Sequence, residues 1–146
     1  MADPTKAQAW AIRDTRSLIE AWVAVWNTYD LDALPSLFVD DERLSYFSSE
    51  KPGLIHGYPA VLAHHRGFGF LEGGKVSQNK LWLEEVASHD LGGATLTTAI
   101  WFFQRPDGSG QWGPVTLVSV PGADHPRFLH LQFANYPKEL RPASKG

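Results

Sequence analysis

The stretch "YPAVLAHHRGFGF", Tyr58 to Phe70, sets two adjacent histidines in an apolar run. Histidine titrates near neutrality, so a positioned imidazole can take or give a proton without a cofactor. At helical spacing Val61, His65 and Phe68 share one face, and His64 lies about 100 degrees round from His65. Only one of the pair can point squarely inward. His65 is the candidate: a general acid or base, or else a core histidine hydrogen-bonded to backbone or to Tyr46. His64 reads as solvated. Lys80, in "VSQNKLWLEEV", would hold a phenolate or carboxylate if its strand face turns inward. Val76, Gln78, Lys80, Trp82 and Glu84 share one face, Leu81 and Leu83 the other, and alternation leaves open which face is inside. In "FLHLQFANY" the apolar set Leu129, Leu131 and Phe133 belongs to the core, which leaves Asn135 as a polar group near the pocket end. Phe128, His130, Gln132, Ala134 and Tyr136 then face outward, unless the register slips by one residue.

Other chemistries are poorly supplied. There is no cysteine among the 146 residues, which excludes disulfides, thiolate metal sites and thiol nucleophiles. The six histidines form no H-x-H or H-x-x-x-H pair, so no metal or other cofactor is expected. No nucleophile elbow or phosphate loop is present. Asp40, Asp41 and Glu42 read as a solvated helix end, with a paired-carboxylate site as the lesser alternative. A net charge of −3 provides no basic surface for nucleic acid. The N-terminus lacks a signal-peptide pattern and no apolar run reaches membrane-spanning length, so a soluble cytoplasmic protein without a membrane partner is expected. With 43% hydrophobic and 20% charged residues the chain reads as one globular domain over 1–146, its tail disordered from about 138. Its six tryptophans, eight phenylalanines and four tyrosines make the chain rich in rings; many belong to the core, and Trp22 and Trp26 are candidate walls of a pocket for a flat or apolar ligand.

The elements that must position these groups change period halfway along the chain. A helix start is marked at Asp3-Pro4. Leu18, Ile19, Trp22, Val23, Trp26 and Tyr29 then fall at helical spacing. Asp30 or Asp32 caps a short second helix, Ala33 to Phe38, and "ERLSYFSS" alternates as a strand. "GLIHGYP" reads as a turn into a third helix with Pro59 near its start. Four long strands follow, Val76–Ala87, Ala94–Phe103, Gly113–Val120 and Arg127–Tyr136, broken by "HDLGG", "RPDGSG" and "PGADHP". Helices first and an antiparallel meander after make an α+β architecture.

This order of elements resembles the nuclear transport factor 2-like superfamily, in its SnoaL-like and ketosteroid-isomerase-like branch. The segments that carry the resemblance are "YDLDALPSLFVDDERLSYF", "IHGYPAVLAHHR", "GPVTLVSV" and "RFLHLQFAN". It implies a cone-shaped α+β barrel, three N-terminal helices packed on a curved, mostly antiparallel sheet around a deep pocket. It also implies homodimers packed through the outer sheet face. The catalytic aspartate of the ketosteroid isomerases would fall at about Tyr46, their second aspartate near Gly113, and a helix-one tyrosine near Trp22. None is conserved in type, so steroid isomerisation by that mechanism is not expected. A further pocket tyrosine of that branch would fall at about His65. The resemblance also turns Thr95, Thr97, Ala99 and Trp101 inward, Thr97 as a hydrogen-bonding contact and Trp101 as a wall.

These features together point to a cofactor-independent lyase or isomerase of the dehydratase, cyclase or aromatic side-chain lyase type. It would act by general acid–base catalysis on a small hydrophobic, aromatic molecule. His65 would move the proton and Tyr46 would polarise or protonate an oxygen. Trp22, Trp26 and Trp101 would form walls, and Lys80, Thr97 and Asn135 would bind or orient the substrate. The alternative is a non-catalytic module that binds a hydrophobic ligand or dimerises as a scaffold.

Overall fold

Asp14 starts the first helix. Its carboxylate accepts the Ser17 N–H at 2.9 Å, and the Ser17 hydroxyl accepts the Asp14 N–H at 3.0 Å. This reciprocal cap satisfies amides that a helix start leaves open. Helix α1 then runs Thr15–Thr28 and buries Leu18, Ile19, Trp22, Val25 and Trp26. The computed structural model describes residues 11–144, so the helix start expected at Asp3-Pro4 lies outside the described residues. Tyr29 adopts a left-handed conformation with φ of 55°, which ends α1 and returns the tyrosine ring to the core. Asp30 accepts the Asp32 N–H at 3.0 Å and starts a 3₁₀ turn, Leu31–Ala33. The short helix α2, Leu34–Leu37, follows with Pro35 in its first turn, where no amide is needed.

The remaining elements are β1 Ser45–Phe47, β2 Leu54–His56, α3 Tyr58–Gly67, β3 Lys80–Asp90, β4 Thr95–Gln104, β5 Gly110–Val120 and β6 Arg127–Phe133. They form one six-stranded sheet in the order β2-β1-β6-β5-β4-β3. β1 runs parallel to β6 and every other pair is antiparallel. The helices pack on the curved sheet as expected, but β2 and β3 remain edges, so the barrel is open rather than closed.

Several expectations need correction. Leu54–His56, read above as a turn, is a strand paired with β1 through Tyr46 and Ile55; three residues are too short to display a period. β3 begins at Lys80 rather than Val76, whose side chain stands in solvent. β6 ends at Phe133, short of Tyr136. Its alternation is also broken. His130 pairs with Val118 and Phe128 with Ser119, so Leu129 is an extra, bulged residue. Phe128 therefore joins Leu131 and Phe133 in the core, where strict alternation had put Leu129 in and Phe128 out. His130 and Gln132 do face outward, and His130 Nδ1 lies 2.7 Å from the Ser45 hydroxyl.

The core is ring-rich. Trp22 meets Phe128 and Phe133, and Phe38 meets Phe128 and Tyr46. Each large side chain so buried stabilises the fold by roughly 1.5–3 kcal/mol. On the outer face Trp82, Phe102 and Trp112 stand in register across β3, β4 and β5, with Trp82 stacked on Phe102 at 5.3 Å. A 3₁₀ turn, Lys138–Leu140, leads across this row. The Arg141 guanidinium lies 4.4 Å from the Trp112 ring, and the Ser144 hydroxyl donates to Glu84 at 2.6 Å. Among the described residues no helix is long and apolar enough to cross a membrane.

Candidate functional site

A cavity of about 350 Å³ opens between the helices and the concave face of the sheet. Its size is that of a small-molecule site. Trp26 and Tyr29 reach it from the end of α1, Tyr46 from β1, Trp101 and Phe103 from β4, and Phe133 from β6. Ser48, Ser49 and Glu50 of the β1–β2 loop, with Arg105 and Gln111 of the β4–β5 hairpin, form a polar rim. An apolar wall under a polar mouth suits a flat ligand with one oxygenated end.

Tyr46 is, with Tyr29, one of two phenols set in the ring wall. It is buried, and among the described residues its hydroxyl has no hydrogen-bond partner. Burial disfavours the phenolate and raises the pKa well above the ordinary value, so the group stays a neutral donor.

His65 is also buried, on the inward side of α3, as its spacing predicted. Its Nδ1 sits 2.8 Å from the Val61 carbonyl, so Nδ1–H donates there and Nε2 is the acceptor nitrogen. Rings of Trp26, Phe38, Tyr46 and Phe70 enclose it. Burial, opposed by the Val61 hydrogen bond, lowers its pKa to about 4 and keeps it neutral at pH 7. It meets Tyr46 edge to face at 5.6 Å, not through a hydrogen bond. It stands behind Tyr46 and Trp26 and is not part of the cavity wall.

His64 is less solvated than expected. Phe68 and Tyr46 close over it at 4.6 and 5.5 Å, and its Nε2 is sealed from water with no hydrogen-bond partner among the described residues. Burial and the charge of Lys51 both lower its pKa.

The other candidates divide. Trp26 and Trp101 line the cavity, and the Trp101 indole N–H donates to the Ala134 carbonyl at 3.0 Å. Trp22 is buried one layer behind, against Phe128 and Phe133. Thr97 is on the inward face, but its hydroxyl is engaged with Ser88 at 2.8 Å beyond the cavity. Lys80 is exposed while Leu81 turns inward, which answers which face of β3 is inside. Asn135 is exposed beside the rim, donating to the Ser49 carbonyl at 3.2 Å. Asp41 pairs with Arg43 at 2.9 Å on the surface, so the acidic run is away from the cavity. Among the described residues no three His, Asp or Glu side chains converge as metal ligands would.

Gly113 explains one absence. A Cβ there would lie 1.9 Å from the Ala134 carbonyl oxygen. The position nearest the second aspartate of the ketosteroid isomerases cannot carry any side chain in this backbone.

The rim was not found from sequence. Arg105 Nη2 donates to Gln111 Oε1 at 2.7 Å, and Gln111 Nε2 donates to Glu50. Asn79, in the loop before β3, donates to the Tyr29 hydroxyl at 3.0 Å. Only the "RPDGSG" turn hinted at this, because a hairpin there brings Arg105 and Gln111 to adjacent strand ends.

The fold is that of nuclear transport factor 2-like proteins. A nuclear transport factor 2-like protein of unknown function from Pseudomonas putida KT2440 superposes with a TM-score of 0.72 at 17% identity, over 98% of this chain and 96% of that one. A proposed dehydratase of the same family from Streptomyces avermitilis gives 0.69 at 15% identity, over 82% and 91%. The hub of a calcium/calmodulin-dependent protein kinase II from S. rosetta gives 0.67 at 20%, over 93% and 99%. No family model matches the sequence, and no curated protein does.

Proposed function

We propose that this protein is a cofactor-independent lyase or isomerase that performs acid–base chemistry on a small aromatic molecule held in the cavity. The observation that carries it is Tyr46: a neutral, unpartnered phenol in a wall of rings, free to donate to an oxygen that gains charge as a bond breaks. Water-poor walls strengthen that hydrogen bond. His65 in this account fixes the Tyr46 ring from behind and keeps its surroundings uncharged. The similarity in fold to a proposed dehydratase is compatible with such chemistry.

The test is a thermal-shift screen with aromatic alcohols, phenols, enones and cyclic ketones, followed by turnover assays of any class that raises Tm. Tyr46→Phe should lower turnover roughly 10²–10³-fold, the usual loss for one oxyanion donor, while ligands still stabilise the variant. Binding without turnover in wild type would leave a ligand-binding module.

A second function, self-association, is favoured by the apolar outer face, where Trp82, Ile100, Phe102 and Trp112 adjoin. The homodimer would pack through that face, and the similarity to a kinase hub is compatible with assembly.

A further inference from the structure

We infer that Glu50 is the general base of the cavity that Tyr46 also lines. The inference rests on the acid–base function proposed above and supplies the proton acceptor that function needs. Glu50 is the carboxylate at the cavity rim; no other aspartate or glutamate among the described residues lines the cavity. It lies four residues beyond Tyr46, on the loop that joins β1 to β2.

Its carboxylate is held by a relay. Gln111 Nε2 donates to Glu50 Oε1, while Gln111 Oε1 accepts from Arg105 Nη2 at 2.7 Å. The cation takes the amide oxygen, so the amide nitrogen must face Glu50. Arg105 is itself seated over the Phe103 ring at 5.2 Å, a second cavity residue. Glu50 thus has one oxygen fixed, and among the described residues its Oε2 has no partner and the group is in no ion pair. A direct Arg–Glu bridge would occupy the carboxylate. The interposed amide orients it and leaves a lone pair free to accept a proton.

The division of labour follows. Glu50 takes a proton from a carbon of the bound molecule. The C–H electron pair forms a new π bond, and the pair of the breaking bond moves to an oxygen that accepts a hydrogen bond from Tyr46. Glu50 is the catalytic residue, and Gln111 and Arg105 are positioning residues.

A nitro-substituted benzisoxazole tests this without knowledge of the natural substrate. Loss of its ring C–H proton to Glu50 turns the C–H pair into the third bond of a nitrile. The N–O pair leaves on oxygen as a coloured phenolate. Wild type should accelerate this reaction over buffer. Glu50→Gln, isosteric and at an exposed position, should lower kcat roughly 100-fold or more with KM within about twofold. Glu50→Asp should restore part of the rate. Gln111→Leu should lower kcat about tenfold at unchanged KM, which loss of a merely structural contact would not do. Wild-type acceleration that survives Glu50→Gln would overturn the inference and leave the acid–base function standing with another base. No acceleration by wild type, whether or not the probe binds, would overturn both.

Discussion

A buried histidine couples stability to pH, and His65 shows the sign clearly. In the unfolded chain it titrates near 6.5, and in the fold near 4. Above pH 6.5 neither state is protonated and the full stability is present. Between 6.5 and 4 the unfolded chain takes up a proton that the folded chain refuses, so stability falls by roughly 3 kcal/mol across that window. His64, also lowered by burial, adds to the fall. Urea midpoints at pH 7 and pH 4.5 should therefore differ in wild type, and the difference should shrink in His65→Phe. Equal differences would mean that His65 is protonated in the folded protein. Tyr46 has no such coupling near neutrality, so Tyr46→Phe should alter turnover while shifting stability by no more than about 1 kcal/mol.

At the scale of elements, two local devices position the cavity. Asp14 fixes where α1 begins, and through it the depth at which Trp22 and Trp26 enter the core. Asp14→Ala should cost about 1 kcal/mol, read from thermal or chemical unfolding. The close approach of β5 to the chain after β6 sets the wall that holds Trp101. Gly113→Ala would force a methyl against the Ala134 carbonyl, so a loss of about 3 kcal/mol is expected, with a changed tryptophan emission as Trp101 loses its acceptor. A Gly113→Ala variant as stable as wild type would show that this backbone contact yields easily. The bulge at Leu129 belongs to the same scale: one extra residue turns Phe128 inward beneath Trp22.

For the whole molecule, the arrangement of tail and sheet decides what the outer face can do. Residues 138–144 cross the row of Trp82, Phe102 and Trp112 through Arg141 and Ser144. If the homodimer packs on this face, the tail competes with it. A chain ending at Pro137 should sediment with a larger fraction of dimer than the full chain at equal concentration. Arg141→Ala should move part of the way, since a cation over a partly exposed ring contributes about 0.5–1 kcal/mol. Unchanged sedimentation of the shortened chain would count against a homodimer through this face.

The periods of the sequence determined much of this protein. The helical spacing from Leu18 to Trp26 and the alternation of Thr97, Ala99 and Trp101 reflect burial on one face of one element, and such patterns persist in the linear chain. They sufficed for the class of fold, the inward turn of His65 and the shared face of Thr97, Ala99 and Trp101, whose inward direction came from the family resemblance. Tertiary structure alone decided the rest. β2 is stabilised by its partner strand, Phe128 faces inward because β5 is one residue shorter across the bulge, and Tyr46 of β1 closes over His64 beside the local contact with Phe68. The rim is the clearest case. Glu50, Arg105 and Gln111 carry no periodic signal, because each lies at a loop or strand end. They meet only when the sheet curves and brings the β1–β2 loop beside the β4–β5 hairpin.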